Sequence, residues 1–308
     1  MTTRHVHIVD EVPELAASGG APGPVLVVAL EGFLDAGNAA RLAAGHLTRG
    51  EAGSVVASLD IDAFYDYRAR RPAMRFVEDH YEGYESPRLV VRLMHDERPD
   101  SSPVPYLLLH GPEPDTHWDA FAEAVRAVVE HFSVRRTVSL GSVPMAVPHT
   151  RPVMVTNHAT RKELLLSENI WRGVIQIPSS AMAMLEQRLG EWGHDALGFV
   201  AHVPHYLAQL DFPAAAVRLV ECLEVATGLR WDNGELVDAA QRRNAEIAEQ
   251  IAEADEVREV VTGLEQQYDA FTRAEDSSLR LADDRPLPTA EELGAEFERF
   301  LAGLDDDD

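Results

Sequence analysis

The stretch Val-Leu-Val-Val-Ala-Leu at residues 25–30, followed by Glu-Gly-Phe-Leu-Asp-Ala-Gly at residues 31–37, decides the fold class of this chain. Six consecutive apolar residues are typical of a strand that is covered on both faces, as in a parallel sheet. A segment suited to a helix follows from Asn38 to about Leu47, with Asn38 as its predicted N-cap. A buried strand, a glycine-containing turn and a helix in succession indicate an α/β protein.

Four further apolar runs end in a cluster of Gly, Pro, Ser, His or acidic residues. They cover residues 106–109, 137–140, 174–177 and 196–201. In an open α/β sheet, ligands bind at the carboxyl ends of the parallel strands. We therefore predict an α/β fold with a mixed, largely parallel sheet flanked by helices, and one crevice at the carboxyl edge of that sheet. The candidate crevice-lining residues are Glu31, Gly32, Asp35, His110, Glu113, Gly141, Ser142, His149, Arg151, Ser179, His202, His205 and Tyr206.

The other elements follow from periodicity and end signals. Thr116 to Asp119 has the spacing of a capping box and predicts a helix to about Phe132. Pro213 suits the first turn of a helix that Gly228 would end. Further predicted elements are strands at 55–61, 89–94 and 153–156, a helix at 181–192, and a polar, aromatic excursion at 62–87.

The chain divides into three predicted regions: an irregular N-terminal arm (1–24), an α/β core domain (25–231) and a C-terminal helical region with an acidic tail (232–308). Residues 235–271 contain no proline and one glycine, and their apolar residues repeat in an approximately heptad pattern, which predicts one long helix. This helix either folds back on its own α/β body or makes a coiled-coil-like contact with another subunit or partner. A final short helix is predicted from Thr289.

Composition limits the classes of partner and the compartment. The 308 residues carry 52 acidic and 27 basic side chains, a net charge of −25, which repels nucleic acid and anionic membranes. The longest apolar runs, about six residues, fall well short of a membrane span, and no signal peptide is recognised. The single cysteine, Cys222, lies among apolar helix positions and is predicted to be a buried structural thiol. These features predict a cytoplasmic protein that binds neither nucleic acid nor membrane.

No specific catalytic, cofactor or metal motif is found. Neither of the two common glycine-rich nucleotide-binding patterns follows the first strand, and no G-x-S-x-G surrounds Ser142 or Ser179. His202 and His205 are three residues apart, but the intervening Pro204 argues against a helical metal site. We predict no cofactor and no metal, and leave open whether the protein is an enzyme.

The segment at residues 30–37 resembles the opening motif of the PAC2 family, which takes its name from a proteasome assembly chaperone. Residues 110–115, 141–144 and 148–152 match further segments of the family, and residues 202–206, 265–268 and 287–301 resemble its actinobacterial branch. Phe33 stands where the motif more often carries Trp, so an aromatic residue is kept. The resemblance implies a fold similar to purine nucleoside phosphorylases and related hydrolases, assembled as a homo-oligomer such as a trimer. It carries over no catalytic residues.

Two functions are compatible with these observations. The first is a cytoplasmic binding or assembly protein, similar to a proteasome assembly chaperone, with a possible protein partner. Eukaryotic PAC2 members act partly through a hydrophobic-Tyr-X tail, whereas residues 303–308 here read Gly-Leu-Asp-Asp-Asp-Asp, which argues against docking by that device. The alternative is a small-molecule enzyme or sensor, of the nucleoside phosphorylase or hydrolase type, that uses the crevice.

Overall fold

The computed structural model describes residues 2–15, 22–49, 53–98, 102–167, 174–252 and 255–280. The strands in these residues are β1 (Thr2–Thr3), β2 (Val6–Ile8), β3 (Val25–Glu31), β4 (Ser54–Leu59), β5 (Arg75–Val77), β6 (His80–Glu82), β7 (Val90–His95), β8 (Pro105–Pro112), β9 (Arg136–Met145), β10 (Val155–Ala159) and β11 (Ala196–Pro204). The α-helices are α1 (Ala39–Leu47), α2 (Ile61–Phe64), α3 (Trp118–His131), α4 (Ala181–Glu191), α5 (Pro213–Thr227), α6 (Gly234–Ala252) and α7 (Asp255–Arg280).

Nine of the described strands form one sheet in the order β1-β2-β4-β7-β8-β3-β9-β11-β10. The four central strands, β8, β3, β9 and β11, are parallel to one another. The strands on either side of them pair antiparallel. The predicted mixed α/β fold is confirmed, and its parallel part is the centre of the sheet.

Strand β3 shows why the sheet is covered on both faces. Val25, Val27 and Ala29 belong to the core formed with α1 and α5. Their neighbours Leu26 and Val28 belong to a second core formed with α3 and α4. Side chains alternate between the two faces of a strand, so a continuous apolar run fills both cores. Burying each of these valine or leucine side chains contributes about 1.5–3 kcal/mol.

Helix α5 begins and ends as predicted. Pro213 occupies its first turn, and Gly228, with φ of +78°, ends it in the left-handed conformation that glycine adopts without strain. Cys222 is buried in this helix, as predicted, and burial raises the pKa of its thiol.

Two predicted helix caps, Asn38 for α1 and Thr116 for α3, are wrong. Asn38 and His117 precede α1 and α3 with φ of +50° and +55°, and neither side chain caps the helix that follows. The Asn38 amide instead donates a hydrogen bond to Asp211 (2.6 Å), and the Thr116 hydroxyl donates to the carbonyl of Ala63 (3.3 Å). In this backbone conformation the capping box cannot close, because the residue at the N-cap position normally has extended dihedrals.

Two predicted segments have a different structure. Residues 174–177, predicted as a strand, pair with no described strand. An apolar β-branched run favours a strand, but forming one requires a partner. Conversely, the predicted irregular arm contains β1 and β2, and β2 pairs with β4 and buries Val6 and Ile8. Its alternating pattern is only three residues long, too short to be recognised from the sequence.

The described residues of the predicted long helix are helical and belong to α6 and α7; residues 253 and 254 lie outside the described residues. Leu236 and Ile247 of α6 enter the core that contains α5, while Val261 and Leu264 of α7 are buried. Polar contacts also join α7 to the loop after β9. The described part of the helical region therefore folds back on its own α/β body. Ala254 of the heptad series and the helix predicted from Thr289 lie outside the described residues.

Candidate functional site

The loop between β3 and α1 lies across the carboxyl edge of the parallel strands. The Ser142 hydroxyl, on β9, donates a hydrogen bond to the carbonyl of Ala36 (2.7 Å), and the Ser142 amide donates to the carbonyl of Leu34 (2.9 Å). Further along, the amide of Gly37 donates to the carbonyl of Ala208, just after β11 (2.8 Å). The predicted crevice is therefore occupied here by the protein's own loop.

Glu113 connects three elements at this edge. One carboxylate oxygen, Oε2, accepts a hydrogen bond from the amide of Phe33 (2.8 Å), and Oε1 accepts one from the amide of Ala181 at the start of α4 (2.7 Å). Its own amide donates to the carbonyl of Glu31 (2.9 Å). Gly32 is required beside it, because a Cβ on residue 32 would lie 2.2 Å from Glu113 Oε2. The end of β8 is thereby tied to the end of β3 and to α4.

Asp35 replaces Asn38 as the residue that caps α1. Its Oδ1 accepts hydrogen bonds from the amides of Ala40 (2.7 Å) and Arg41 (3.4 Å). Burial raises the pKa of the Asp35 carboxyl to about 7, although these two hydrogen bonds oppose the shift. The charge of this group therefore changes near neutral pH. The Glu31 side chain is exposed nearby.

A second group of predicted residues lies around Tyr206, which follows β11. The Tyr206 hydroxyl accepts a hydrogen bond from the His149 amide (3.0 Å) and lies 2.9 Å from Nδ1 of the His149 ring. The exposed His205 packs edge-on against Tyr206, with ring centroids 5.4 Å apart. Burial lowers the pKa of His149 and raises the pKa of Tyr206, so both are favoured in their neutral forms.

Arg151 joins this second group to α7. Its guanidinium contacts both carboxylate oxygens of Asp269 at 2.8 Å and donates to Glu265 at 3.1 Å. The Tyr268 hydroxyl donates to the carbonyl of Pro152 (2.9 Å), and the Thr150 hydroxyl also bonds to Glu265. The ion pair raises the pKa of Arg151 and lowers the pKa of Asp269. The carboxylates that Arg151 binds are thus supplied by the protein's own helix.

The remaining candidates are His202, His110, Gly141 and Ser179. His202 is buried within β11, where its Nε2 contacts the hydroxyl of Thr156 (2.8 Å), and burial lowers its pKa. His110 lies within β8, and its Nε2 accepts a hydrogen bond from Arg92 (3.0 Å). Gly141 packs beneath Leu34 and Met182, and the Ser179 side chain is exposed. The contacts therefore form two groups rather than one shared crevice.

A groove of about 490 Å³ lies beside the second group, between residues 149–153, α5 and α6. Its apolar walls include Val153, Val217 and Val237, and its polar lining includes Arg218 and Asn244. His149 and Arg151 were predicted from the sequence, but the helical walls of the groove were not. Apolar positions on two helices do not show by themselves that the helices face one another. Among the described helices, none has the length and apolarity needed to cross a bilayer.

Comparison with known proteins identifies the family of this chain. A model of the PAC2 family matches residues 29–251, which covers most of the chain. The chain belongs to the PAC2 family. The matched region runs from β3 through most of α6 and contains both groups of candidate residues, whereas α7 lies after it.

Solved structures of other proteins agree with this assignment. A Mycobacterium tuberculosis protein of unknown function is 45% identical, with a TM-score of 0.82, over 89% of this chain and 91% of its own. A Corynebacterium glutamicum protein of unknown function is 34% identical, with a TM-score of 0.80, over 87% and 98%. A proteasome-assembly chaperone homologue from M. tuberculosis is 31% identical, with a TM-score of 0.66, over 77% and 99%. No curated protein matches this PAC2-family chain.

Proposed function

We propose that this PAC2-family protein is a binding and assembly factor of the proteasome-assembly chaperone kind, acting on a protein partner. The observation that carries the proposal is its 31% identity to the M. tuberculosis proteasome-assembly chaperone homologue, almost the whole of which is matched. The geometry of the carboxyl edge is also consistent with a surface that contacts a partner.

Phe33 is a large apolar side chain that this edge presents outward. It is 59% exposed, and its backbone amide is held by the Glu113 carboxylate. Neighbouring Leu34 is fixed through its carbonyl by the amide of Ser142. A large aromatic side chain on a fixed backbone loses little conformational entropy on binding, and such residues often dominate the binding energy of protein interfaces. We therefore assign Phe33 as the anchor for the partner.

The direct test mixes the full-length chain with purified, unassembled α and β subunits of an actinobacterial proteasome. Native mass spectrometry should show a complex with unassembled subunits. Phe33→Ala should weaken this complex at least about tenfold, corresponding to about 1.4 kcal/mol. Val225→Ala, at a 69% exposed position on α5, is the matched control and should bind like the wild type. If unassembled subunits form no complex, the proposal is wrong.

The enzyme or sensor alternative receives less support from the edge. Both Glu113 oxygens and the Ser142 hydroxyl engage the protein's own backbone, so a ligand would have to displace these bonds to reach them. A thermal-shift panel of nucleosides, nucleotides and phosphate tests it. A ligand at 100 times its dissociation constant should stabilise the protein by about 2.7 kcal/mol.

We further propose that the protein is cytoplasmic and homo-oligomeric, with a trimer favoured by the resemblance of its motifs to actinobacterial PAC2 proteins. Sedimentation velocity of the full-length chain tests the assembly, and fractionation of cells tests the compartment.

A further inference from the structure

A row of polar side chains lies away from the carboxyl edge, on the face of the sheet that α4 covers. Ser139 on β9, Gly198 on β11 and His158 on β10 are paired in register across three neighbouring strands. A Cβ on residue 198 would lie 2.8 Å from Nε2 of the His158 ring and closer still to the Ser139 hydroxyl. Because Gly198 has no side chain, the serine and the histidine converge on the space above it.

Glu186 of α4 fixes the orientation of the His158 ring. Its two carboxylate oxygens lie 2.9 Å and 2.8 Å from Nδ1 of the imidazole. An ionised carboxylate only accepts hydrogen bonds, so Nδ1 carries the proton and Nε2 of the neutral ring is left as a base. Nε2 is the ring nitrogen that approaches the space shared with Ser139. The arrangement is a hydroxyl, a base and a carboxylate in sequence, as in serine nucleophiles that a histidine activates.

A small cavity lies between this row and α4. Its volume of about 10 Å³ leaves room for about one water molecule, and its walls include Met182, Leu185 and Leu189. Ser139 and Thr137 supply hydroxyl groups to its lining. The Thr137 hydroxyl is buried and has no hydrogen-bond partner among the described residues. Buried hydroxyls are normally hydrogen-bonded, so this one is available to a small polar group such as a carbonyl oxygen.

The cavity can be reached from one side. Ser139 is 9% exposed, whereas the His158 side chain is 36% exposed and belongs to β10, the outermost described strand on that side of the sheet. A substrate therefore approaches the Ser139 oxygen past the imidazole. Because the space is small, it favours a short acyl group such as acetyl over a long or branched one.

We propose that Ser139 is a nucleophile that hydrolyses esters of short acyl groups, with His158 as its base and Glu186 as a positioning residue. The Ser139 oxygen forms a bond to the acyl carbonyl carbon, and its proton passes to Nε2 of His158. The Thr137 hydroxyl donates a hydrogen bond to the carbonyl oxygen. The bond between the carbonyl carbon and the alcohol oxygen then breaks, and His158 gives its proton to the leaving alcohol.

Water completes the reaction. His158 takes a proton from a water molecule, whose oxygen forms a bond to the carbonyl carbon of the acylated Ser139. The bond from this carbon to the serine oxygen breaks, the carboxylic acid leaves, and Ser139 regains its proton from His158. This activity is additional to the proposed assembly function and does not depend on a proteasome partner.

Methanesulfonyl fluoride tests the nucleophile directly, because its sulfonyl group is small. The Ser139 oxygen displaces fluoride and keeps the methanesulfonyl group. Mass spectrometry of the full-length protein should show one added group, and peptide mapping should locate it on Ser139. Ser139→Ala should remove the adduct. Ser58→Ala, which removes an exposed strand serine, is the matched control and should be modified like the wild type. Matching circular dichroism spectra and melting midpoints show that the variants are folded.

Two further variants separate catalysis from a structural role. His158→Gln removes the base and should slow formation of the adduct at least about a hundredfold. Glu186→Gln removes the negative charge that favours the protonated imidazole, so the pH at half-maximal rate of modification should move to a lower value. With p-nitrophenyl acetate as the substrate, Ser139→Ala should release p-nitrophenol at least about tenfold more slowly than the wild type.

Several results would overturn the inference. They are an unmodified wild type, an adduct on another residue in place of Ser139, equal rates of modification in the wild type and His158→Gln, or equal hydrolysis of p-nitrophenyl acetate by the wild type and Ser139→Ala. An unshifted pH profile in Glu186→Gln would overturn the role of Glu186. The binding of proteasome subunits is measured independently, so its failure and the failure of this inference are distinguishable.

Discussion

Asp35 combines a structural role with a titration near neutral pH. Its carboxylate caps α1, and burial raises its pKa from 3.8 to about 7. Between pH 3.8 and about pH 7, the Asp35 carboxyl is more often protonated in the folded protein than in the unfolded chain. The stabilisation from this proton is complete below about pH 4 and is lost as the pH rises through 7.

Asp35→Asn should remove this loss because an amide does not ionise. Between pH 5 and pH 8, the free energy of unfolding of the wild type should fall relative to that of the variant by about 2 kcal/mol. Urea denaturation of both proteins at the two pH values measures the difference, and taking that difference cancels the pH dependence of the other acidic groups. Parallel pH profiles for the two proteins would contradict the raised pKa.

Glu113 should contribute to stability through its two backbone hydrogen bonds. Glu113→Ala removes the acceptors of the Phe33 and Ala181 amides and should lower the free energy of unfolding by about 2–3 kcal/mol. Glu113→Gln keeps one oxygen acceptor and should lose about half as much. Glu123→Ala, at an exposed position on α3, is the matched control and should change stability by less than about 0.5 kcal/mol. Equal urea midpoints for all three variants would refute this role of Glu113.

At the level of secondary structure, Arg151 ties α7 to the loop after β9. Arg151→Met removes the ion pairs with Asp269 and Glu265. It should lower the free energy of local opening of α7 by about 1 kcal/mol. Hydrogen exchange of amides 261–270 should then become about fivefold faster, while exchange in α5 stays unchanged. Arg258→Met breaks a more exposed pair, with Asp255 on the same helix, and should leave amides 261–270 unaffected. Identical exchange in both variants would show that Arg151 does not hold α7.

Elements with a strong local pattern could be predicted from the sequence, and those that depend on distant partners could not. The runs that became β3 and β11 have the same apolar character as residues 174–177, but only the first two pair with other strands in the described part of the chain. The cap of α1 depends on the positive φ of Asn38, which capping statistics do not reveal. The capping-box spacing at Thr116 fails for the same reason, because His117 adopts a positive φ.

Strand direction predicted which candidate residues would lie at the carboxyl edge of the sheet, but not the contacts that they make there. Parallel strands had to bring Glu31 and Ser142 to one edge. However, the bond between Glu113 and Ala181 joins residues 68 positions apart, and no local pattern predicts such a partner. The groove beside Arg151 likewise depends on the packing of α5 against α6.

On the scale of the whole molecule, the net charge of −25 should make stability dependent on salt. Self-repulsion within the folded chain is screened as ionic strength rises. Raising NaCl from about 20 to 200 mM at pH 8 should therefore increase the free energy of unfolding by about 1 kcal/mol. At pH 4.8, near the isoelectric point, the same addition should have little effect. A salt response of equal size at both pH values would mean that charge repulsion is not its cause.

The strand order also has a practical consequence for producing the protein. β2 covers one side of β4, which contributes the buried Val56 and Leu59. A shortened version starting after residue 9 would leave the backbone of β4 open along that side, and an open strand invites aggregation. Affinity tags at the amino terminus therefore need a spacer, and trimming during crystallisation trials should spare the first eight residues.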